Sequence, residues 1–248
     1  MKTYRSAQLY NRIAVYYDHM MDHVDYAMWA KYINSLFAYY GIKARRVIEL
    51  SCGTGNFMRH FPVKKRILIA GDRSLAMLRR ARDKNLRKKL PLFCADARQL
   101  PFAPHIADAA LFLYDSMNYL LDDRDVLETL AQVLRILKPG GIFIFDVVTP
   151  YICRKEFMNY HETHVQNGAG YERHGWFNDE EQTQYNEFVV YQKGKTYVEL
   201  HRQKIRSLTE WDHLIEQTPL RILGRLGDFS FRAAHPRSER VHYICGNK

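Results

Sequence analysis

The residues whose types and spacing best suit ligand binding are two glycines and three acids in the first half of the chain. Gly53 and Gly55 lie in Glu49-Leu-Ser-Cys-Gly-Thr-Gly-Asn56, at the end of an apolar segment. Glycines at such a place let the backbone approach a ligand that a Cβ would repel. Asp72 ends the next apolar segment, and Asp96 follows the third. At the position of Asp72, a carboxylate can hold both hydroxyls of a ribose. At the position of Asp96, a carboxylate can reach an adenine amine.

A dinucleotide such as NAD is the first ligand to weigh against this pattern. The loop lacks the third glycine of the G-x-G-x-x-G signature, because Asn56–Met58 follow Gly55. Glu49 lies four residues before Gly53, where it would repel a pyrophosphate. An acid there suits a ligand with an ammonium group and no phosphates. S-adenosylmethionine, which joins an adenosine, a sulfonium and an amino acid, is such a ligand.

The elements that must position these residues alternate between strand and helix up to Pro150, which predicts a parallel sheet with helices on both faces. The predicted strands are Arg46–Leu50, Ile67–Ala70, Leu92–Ala95, Ala109–Tyr114 and Ile142–Val148. The predicted helices between them are Phe57–Phe61, Leu75–Arg87 with Ser74 as its cap, and Asp122–Leu137. Ligands bind such sheets at the carboxyl ends of the strands, where the glycines and acids lie.

The pattern changes on either side of this region. Residues Tyr4–Tyr40 have helical periodicity and predict a helical cap. After Pro150 the predicted elements are strands Trp176–Asn178, Tyr185–Gln192 and Lys195–Ser207, a helix Glu210–Gln217 capped by Thr209, and strands Leu220–Arg225 and Arg240–Cys245. We therefore expect an α/β fold with a doubly wound, seven-stranded, mostly parallel sheet. Residues 1–150 and 208–248 would form its main domain, with 1–40 as the cap, and 151–207 an antiparallel β insert that lids the active site.

In its motifs the chain resembles the class I S-adenosylmethionine-dependent methyltransferases, whose fold is Rossmann-like. The motifs that carry the resemblance are the Glu49–Asn56 loop, Gly71–Leu78, Ala95–Arg98, Tyr114–Leu120 and Leu137–Gly141. The flanking Tyr16-Tyr17-Asp18, Tyr26, Trp29 and Ser238-Glu239-Arg240 resemble a bacterial branch with an antiparallel insert, which includes sugar-amine N,N-dimethyltransferases. Cys52 and Asn56 depart from the commonest residues at their positions.

The resemblance implies a set of residues around S-adenosylmethionine and its product S-adenosylhomocysteine. Those expected at the methionine portion are Glu49, Ser51, Cys52, Gly53 and Gly55. Those expected at the nucleoside are Asp72 on the ribose, Arg73 and Met77 on the adenine, and Asp96 and Ala97 at its far edge. Those expected to cover the cofactor or face its sulfonium are Tyr17, Trp29, Tyr114 and Asn118.

The acceptor and the catalytic residues are less well defined by the sequence. Methyl transfer is a displacement at an activated sulfonium, so proximity and orientation can supply most of the catalysis and no strong base is obligatory. Candidates at the acceptor side are Asp115, Tyr119 and the insert histidines His161, His164, His174 and His201. By family analogy the expected acceptor is a small molecule methylated on an amine nitrogen.

Composition limits the remaining classes of function. The chain has 248 residues, 47% of them hydrophobic, and no apolar run that approaches the length of a membrane span or a signal peptide. Its four dispersed cysteines predict a cytoplasmic protein with neither metal nor disulfide. A net charge of +10 and the basic run Arg79–Lys89 keep an RNA methyltransferase as the alternative. A non-catalytic protein that binds S-adenosylmethionine is a second alternative, and the oligomeric state is not predicted.

Overall fold

The computed structural model describes residues 4–84 and 90–247, which form two sheets and seven α-helices. The strands are β1 (Tyr4–Ser6), β2 (Arg46–Glu49), β3 (Ile67–Asp72), β4 (Leu92–Cys94), β5 (Ala107–Phe112), β6 (Leu137–Val148), β7 (Tyr160–Gln166), β8 (Ala169–Asn178), β9 (Thr183–Gln192), β10 (Lys195–Lys204), β11 (Arg221–Gly227) and β12 (Arg240–Gly246). The helices are α1 (Tyr17–Met20), α2 (Tyr26–Tyr39), α3 (Asn56–His60), α4 (Leu75–Asp83), α5 (Asp123–Ile136), α6 (Pro150–Glu156) and α7 (Leu208–Glu216).

The larger sheet has seven strands in the order β11-β12-β6-β5-β2-β3-β4, which confirms the predicted fold class. Strands β2 to β6 pair in parallel, and β12 and β11 add antiparallel pairs at one end. Successive side chains of a strand point to opposite faces, and the central strands β2, β5 and β6 are largely buried because helices pack on both faces of the sheet. Helices α5 and α7 pack on Ile48, Phe143 and Phe145, whereas α2, α3 and α4 pack on Val47 and Ile144.

The smaller sheet is an antiparallel meander, β7 to β10, with β1 added in parallel to β10. Strand β7 was not predicted, because Tyr160–Gln166 is a polar edge strand whose side chains are half-buried or exposed. Strand β8 begins seven residues before the predicted Trp176. We name strands β7 to β10, residues 160–204, the lid sheet.

The N-terminal segment is only partly helical, so the prediction of one helical cap over Tyr4–Tyr40 was wrong in its first part. Its start, β1, pairs with Thr196–Val198 of the lid sheet, a partner too distant in sequence for periodicity to reveal. A 3₁₀ turn at Ile13–Val15 precedes α1 and α2.

Several helix and strand ends also differ from their predicted positions. Helix α7 starts at Leu208 rather than Glu210, because Ser207 and Glu210 form a capping box. Ser74 caps α4 as predicted, and the described helix ends at Asp83, while residues 85–89 of the predicted Leu75–Arg87 helix and of the basic run lie outside the described residues. Within the described part of the chain, no helix is both long enough and apolar enough to cross a bilayer.

Candidate active site

A cavity of about 750 Å³ lies at the carboxyl ends of β2 to β5. Predicted cofactor residues that line it are Tyr17, Glu49, Ser51, Cys52, Gly53, Asp72, Arg73, Met77, Asp96, Ala97 and Tyr114. The acceptor candidate Tyr119 lines it as well. The strand ends therefore bring together residues that are up to 102 positions apart in the sequence, and the cavity is of the size that binds small ligands.

The glycine loop is fixed by the carboxylate of Asp72. The backbone N–H of Gly53 donates to Asp72 Oδ2 at 2.8 Å, and that of Ser74 donates to Oδ1 at 2.8 Å. Gly53 has a φ of +54°, and the nearest atom to a Cβ built on it is Tyr17 Cε1 at 3.7 Å. Burial raises the pKa of Asp72 to about 6 despite its backbone hydrogen bonds. The loop thus presents open backbone to the cavity, and each carboxylate oxygen keeps capacity to accept a further hydrogen bond.

Glu49 is the most unusual group of the cavity wall. Its side chain is buried, and its Oε2 has no hydrogen-bond partner among the described residues. Burial, with a smaller contribution from the charge of Asp72, raises the pKa of Glu49 to about 8. The buried hydroxyl of Tyr114 likewise has no partner in the described part of the chain. A buried carboxylate oxygen without a partner is costly unless a ligand satisfies it, and an ammonium group would do so.

Asp96 is held as an ionised acid at the other end of the cavity. Arg98 donates to it through Nε at 2.9 Å and through Nη2 at 2.8 Å. The hydrogen bonds from Arg98 hold the pKa of Asp96 below its usual value. Arg73 Nε lies 3.6 Å from the same carboxylate. The sequence alone did not indicate that two arginines flank this acid.

Helix α1 is clamped to the glycine loop by a polar cluster that the sequence analysis missed. Asp18 accepts hydrogen bonds from Thr54 Oγ1 at 2.6 Å, Asn56 Nδ2 at 3.0 Å and Lys84 Nζ at 2.6 Å. Lys84 Nζ also donates to Thr54 Oγ1 and Asn56 Oδ1. We name Asp18, Thr54, Asn56 and Lys84 the clasp. It fixes Tyr17, which lies beside Asp18, over Gly53.

Three residues predicted to contact the cofactor do not line the cavity. Trp29 is buried behind the wall and stacks on Tyr114 with a centroid distance of 4.2 Å. Gly55 has a φ of +81° and serves as the N-cap of α3. Asn118 is buried, with its amide donating to the carbonyl of Lys204 at 2.9 Å and its Oδ1 accepting from a backbone N–H of β6 at 3.3 Å. All three therefore support the residues that line the cavity and do not line it themselves.

Asp115, an acceptor candidate, is also outside the wall and is occupied by other contacts. It accepts from Arg240 Nη1 at 2.9 Å and from Gln203 Nε2 at 2.6 Å. Tyr114 and Asp115 have φ values of +59° and +48°, and both donate backbone N–H groups to the buried Asp146. Asp146 was missed, although one acid inside the apolar Ile142–Val148 strand was a visible signal.

Two phenols, Tyr10 and Tyr119, lie side by side in the cavity wall, with their hydroxyls 2.6 Å apart. The lid sheet contributes no residue to the described cavity wall. It packs behind these phenols instead, and residues 7–11 of the N-terminal segment run between it and the cavity. His161 and His174 stack on each other away from the cavity, and only His201 among the insert histidines contacts the wall.

Residues 47–141 match the family model described as a methyltransferase domain. The chain is 27% identical over 241 residues to the protein named "Putative methyltransferase YqeM" of Bacillus subtilis (strain 168), and the match covers 95% of this chain and 96% of that one. A solved S-adenosylmethionine-dependent methyltransferase from Clostridium acetobutylicum ATCC 824 has a TM-score of 0.78 and 25% identity, covering 94% of this chain and 96% of its own. CalS10, an amino pentose methyltransferase from Micromonospora echinaspora solved with S-adenosylmethionine bound, shares the fold with a TM-score of 0.71 at 14% identity, covering 94% and 96%.

Proposed function

We propose that this methyltransferase, which matches a methyltransferase domain over residues 47–141 and is similar to a solved S-adenosylmethionine-dependent methyltransferase, methylates an amine nitrogen of a small molecule. The observation that carries this proposal is the acceptor end of the cavity. We assign the acceptor to the end of the cavity that is lined by residues 7–11, which include Tyr10, and by Tyr119. A space bounded in this way suits a compact acceptor better than a folded polymer.

The residues present fit S-adenosylmethionine. Glu49 offers an unsatisfied buried oxygen to an ammonium group, and the open backbone at Gly53 leaves room for the amino acid portion. Asp72 keeps hydrogen-bonding capacity for two ribose hydroxyls, and the ionised Asp96 can accept from an adenine amine. When bound, the cofactor supplies a methyl group already activated by its sulfonium.

The phenols favour an amine acceptor for a chemical reason. An amine must lose a proton before or during its attack, and a phenolic oxygen can accept a hydrogen bond from its N–H and orient the lone pair. Asp115, the acid nearest to Tyr119 in the sequence, already accepts hydrogen bonds from Arg240 and Gln203. The site therefore orients the acceptor through neutral phenols, which agrees with a reaction whose main demand is alignment.

The test is transfer of radiolabelled methyl groups from S-adenosylmethionine into a cell extract that is then separated into RNA, protein and small molecules. We expect label in the small-molecule fraction, in a compound whose new methyl group is bound to nitrogen. Asp72→Ala should reduce the labelling at limiting cofactor by tenfold or more, about the effect of lost charge-assisted hydrogen bonds. The matched control is Asp108→Ala, because Asp108 also accepts a backbone N–H, from Arg46, but lies outside the cavity wall. Label in RNA, or on oxygen or carbon of a metabolite, would overturn the proposal.

A further inference from the structure

A row of four hydrogen-bonded side chains leads from the acceptor end of the cavity into the lid sheet. Tyr10 Oη lies 2.6 Å from Tyr119 Oη, and Tyr119 Oη lies 3.1 Å from His201 Nδ1. His201 Nε2 lies 3.2 Å from Glu199 Oε2. His201 is 1% exposed and Glu199 is fully buried. We name these four residues the relay. Its two phenols line the cavity, and its two other members lie behind them.

The far end of the relay fixes the direction of every hydrogen bond in it. Glu199 Oε1 accepts the backbone N–H groups of Arg12 and Ile13, which can only donate, so Oε2 is the oxygen left to accept from His201. An ionised carboxylate can only accept, so His201 must donate to it through Nε2–H. A neutral imidazole with its proton on Nε2 has an acceptor at Nδ1, and Tyr119 must therefore donate its hydroxyl proton there.

The phenolic oxygens at the cavity are left as the acceptors of the relay. Tyr119 Oη, having donated to His201, can accept from Tyr10 Oη or from a ligand. The arrangement is that of a nucleophile–histidine–carboxylate triad in its hydrogen-bond logic, with a phenol in the first position. It differs in that the phenol is placed to receive a proton from the acceptor rather than to attack a carbon.

We propose that Tyr119 takes the proton of the acceptor's attacking group and that His201, oriented by Glu199, receives the phenolic proton in turn. This inference rests on the proposed function, since it concerns an acceptor with a proton to lose. The lone pair of the acceptor nitrogen forms the new N–CH₃ bond, and the sulfur keeps the electron pair of the broken S–CH₃ bond. The N–H bond breaks, its electron pair stays on nitrogen, and its proton passes to Tyr119 Oη. The proton ends on His201 Nδ1 after a one-step shift through Tyr119 Oη, and leaves to solvent after product release.

The surroundings of His201 support a proton at the end of the relay. Its ring is held between Tyr10 and Phe188, with centroid distances of 4.6 and 4.9 Å, and Glu199 supplies the negative charge. Other charged groups that face the relay are Arg173, whose guanidinium lies 5.5 Å from the Phe188 ring, Asp115 behind Tyr119, and Asp72, whose charge acts on Tyr10. Burial raises the pKa of Tyr119, so that the phenol remains protonated and passes a proton on rather than persisting as a phenolate. In these terms Tyr119 is the catalytic residue, and His201 and Glu199 are positioning residues that act through it.

The first measurement needs no acceptor. In protein labelled with ¹⁵N histidine, we expect the resonances of His201 to show the Nε2–H tautomer with a hydrogen-bonded Nδ1. Tyr119→Phe should shift the Nδ1 resonance of His201 and leave that of His174 unchanged, because His174 contacts Asn159 and Trp176 away from the relay. The Nδ1–H tautomer, or a His201 resonance that is insensitive to Tyr119→Phe, would overturn the proposal.

The second measurement is the initial rate of methyl transfer into the small-molecule fraction at saturating S-adenosylmethionine. Tyr119→Phe and His201→Phe should each lower this rate by about 100-fold, the usual effect of removing a proton-transfer group, and the double variant should lose little more. Both should also change the dependence of the rate on pH, while S-adenosylmethionine binding and the rate of His174→Phe stay unchanged. A His201→Phe protein with the wild-type rate and pH profile would overturn the relay and leave the proposed function intact. A wild-type protein that labels no small molecule would contradict the proposed function and the proton path together, and the tautomer would then report on the hydrogen bonds alone.

Discussion

At the scale of single residues, Glu49 has a carboxyl group in surroundings that favour its neutral form. Its pKa is raised from 4.5 to about 8, first by burial and then by the charge of Asp72. Between those two values the unfolded chain holds Glu49 ionised while the folded chain holds it protonated. The folded state therefore binds more protons, and the free energy of unfolding must fall as the pH rises through this window.

We accordingly expect Glu49→Gln to be more stable relative to the wild type at about pH 8 when no cofactor is bound than at about pH 3.5, where the Glu49 carboxyl group is largely neutral in both the folded and the unfolded chain and the two proteins should be nearly equal. Denaturant unfolding at the two pH values measures the difference. The same variant should bind S-adenosylmethionine at least about tenfold more weakly, because a neutral amide replaces the carboxylate that an ammonium group would contact. A variant that is less stable than the wild type at the higher pH would contradict the assigned environment of Glu49.

The residues that sequence reasoning placed well are those fixed by strand ends. Glu49 and Asp72 end the parallel strands β2 and β3, and Asp96 follows β4, so the topology alone brings these positions to one edge of the sheet. Trp29 and Asn118 were not placed well, because their side chains could face either the cavity or the core. Only packing against Tyr114 and the backbone of Lys204 decides between these directions.

At the scale of elements, the clasp is what joins the N-terminal segment to the cofactor loop. Although burial favours the neutral acid, the hydrogen bonds from Lys84 and Thr54 hold the pKa of Asp18 below its usual value. Removal of this carboxylate would leave the half-buried ammonium group of Lys84 without its ionic partner. Helix α1 and Tyr17 would then be held over Gly53 by packing alone.

We expect Asp18→Ala to raise the dissociation rate of S-adenosylmethionine by about tenfold with a smaller effect on its association rate, because the bound cofactor is released through a looser cap. Stopped-flow fluorescence of the tryptophans measures both rates. The control is Asp22→Ala, since Asp22 lies just after α1, is exposed and, among the described residues, has a single ion-pair contact, with His19 at 3.9 Å. Equal dissociation rates in the two variants would show that the clasp does not hold the cap.

The elements that could be predicted are those whose signal is local. The five parallel strands are short apolar runs, and each was located within a few residues because burial on both faces requires such a run. Strand β7 is polar because it is an edge, and β1 exists because Tyr4–Ser6 meets Thr196–Val198 across the fold. Neither the edge position of β7 nor the long-range pairing of β1 can be predicted from the neighbouring residues in the sequence.

At the scale of the whole molecule, the two sheets are joined by polar contacts at the loop after β5. The buried guanidinium of Arg206 donates to the carbonyls of Leu120 and Leu121 and to Asp123, and Gln203 donates to Asp115. Because β1 also pairs with the lid sheet, the segment that contributes residues 7–11 to the cavity wall is attached to that sheet at one end and to the glycine loop at the other. The contacts between the two sheets thus fix this part of the cavity wall.

The net charge of +10 is a property of the whole molecule that a small acceptor does not explain. Replacing Arg82, Arg87, Lys88 and Lys89 by Ala lowers the charge by four, and we expect the labelling of small molecules to stay within about twofold of the wild type. The charge-matched control replaces the exposed Lys193, Lys195, Arg202 and Arg221.

If the basic run bound RNA, contacts with phosphates would make binding fall steeply between about 50 and 200 mM salt, and only the first variant would lessen that dependence. Methyl transfer that is sensitive to salt and lost in the first variant alone would favour RNA as the acceptor. Methyl transfer that depends little on salt and is equal in both variants would show that the basic run takes no part in binding the acceptor.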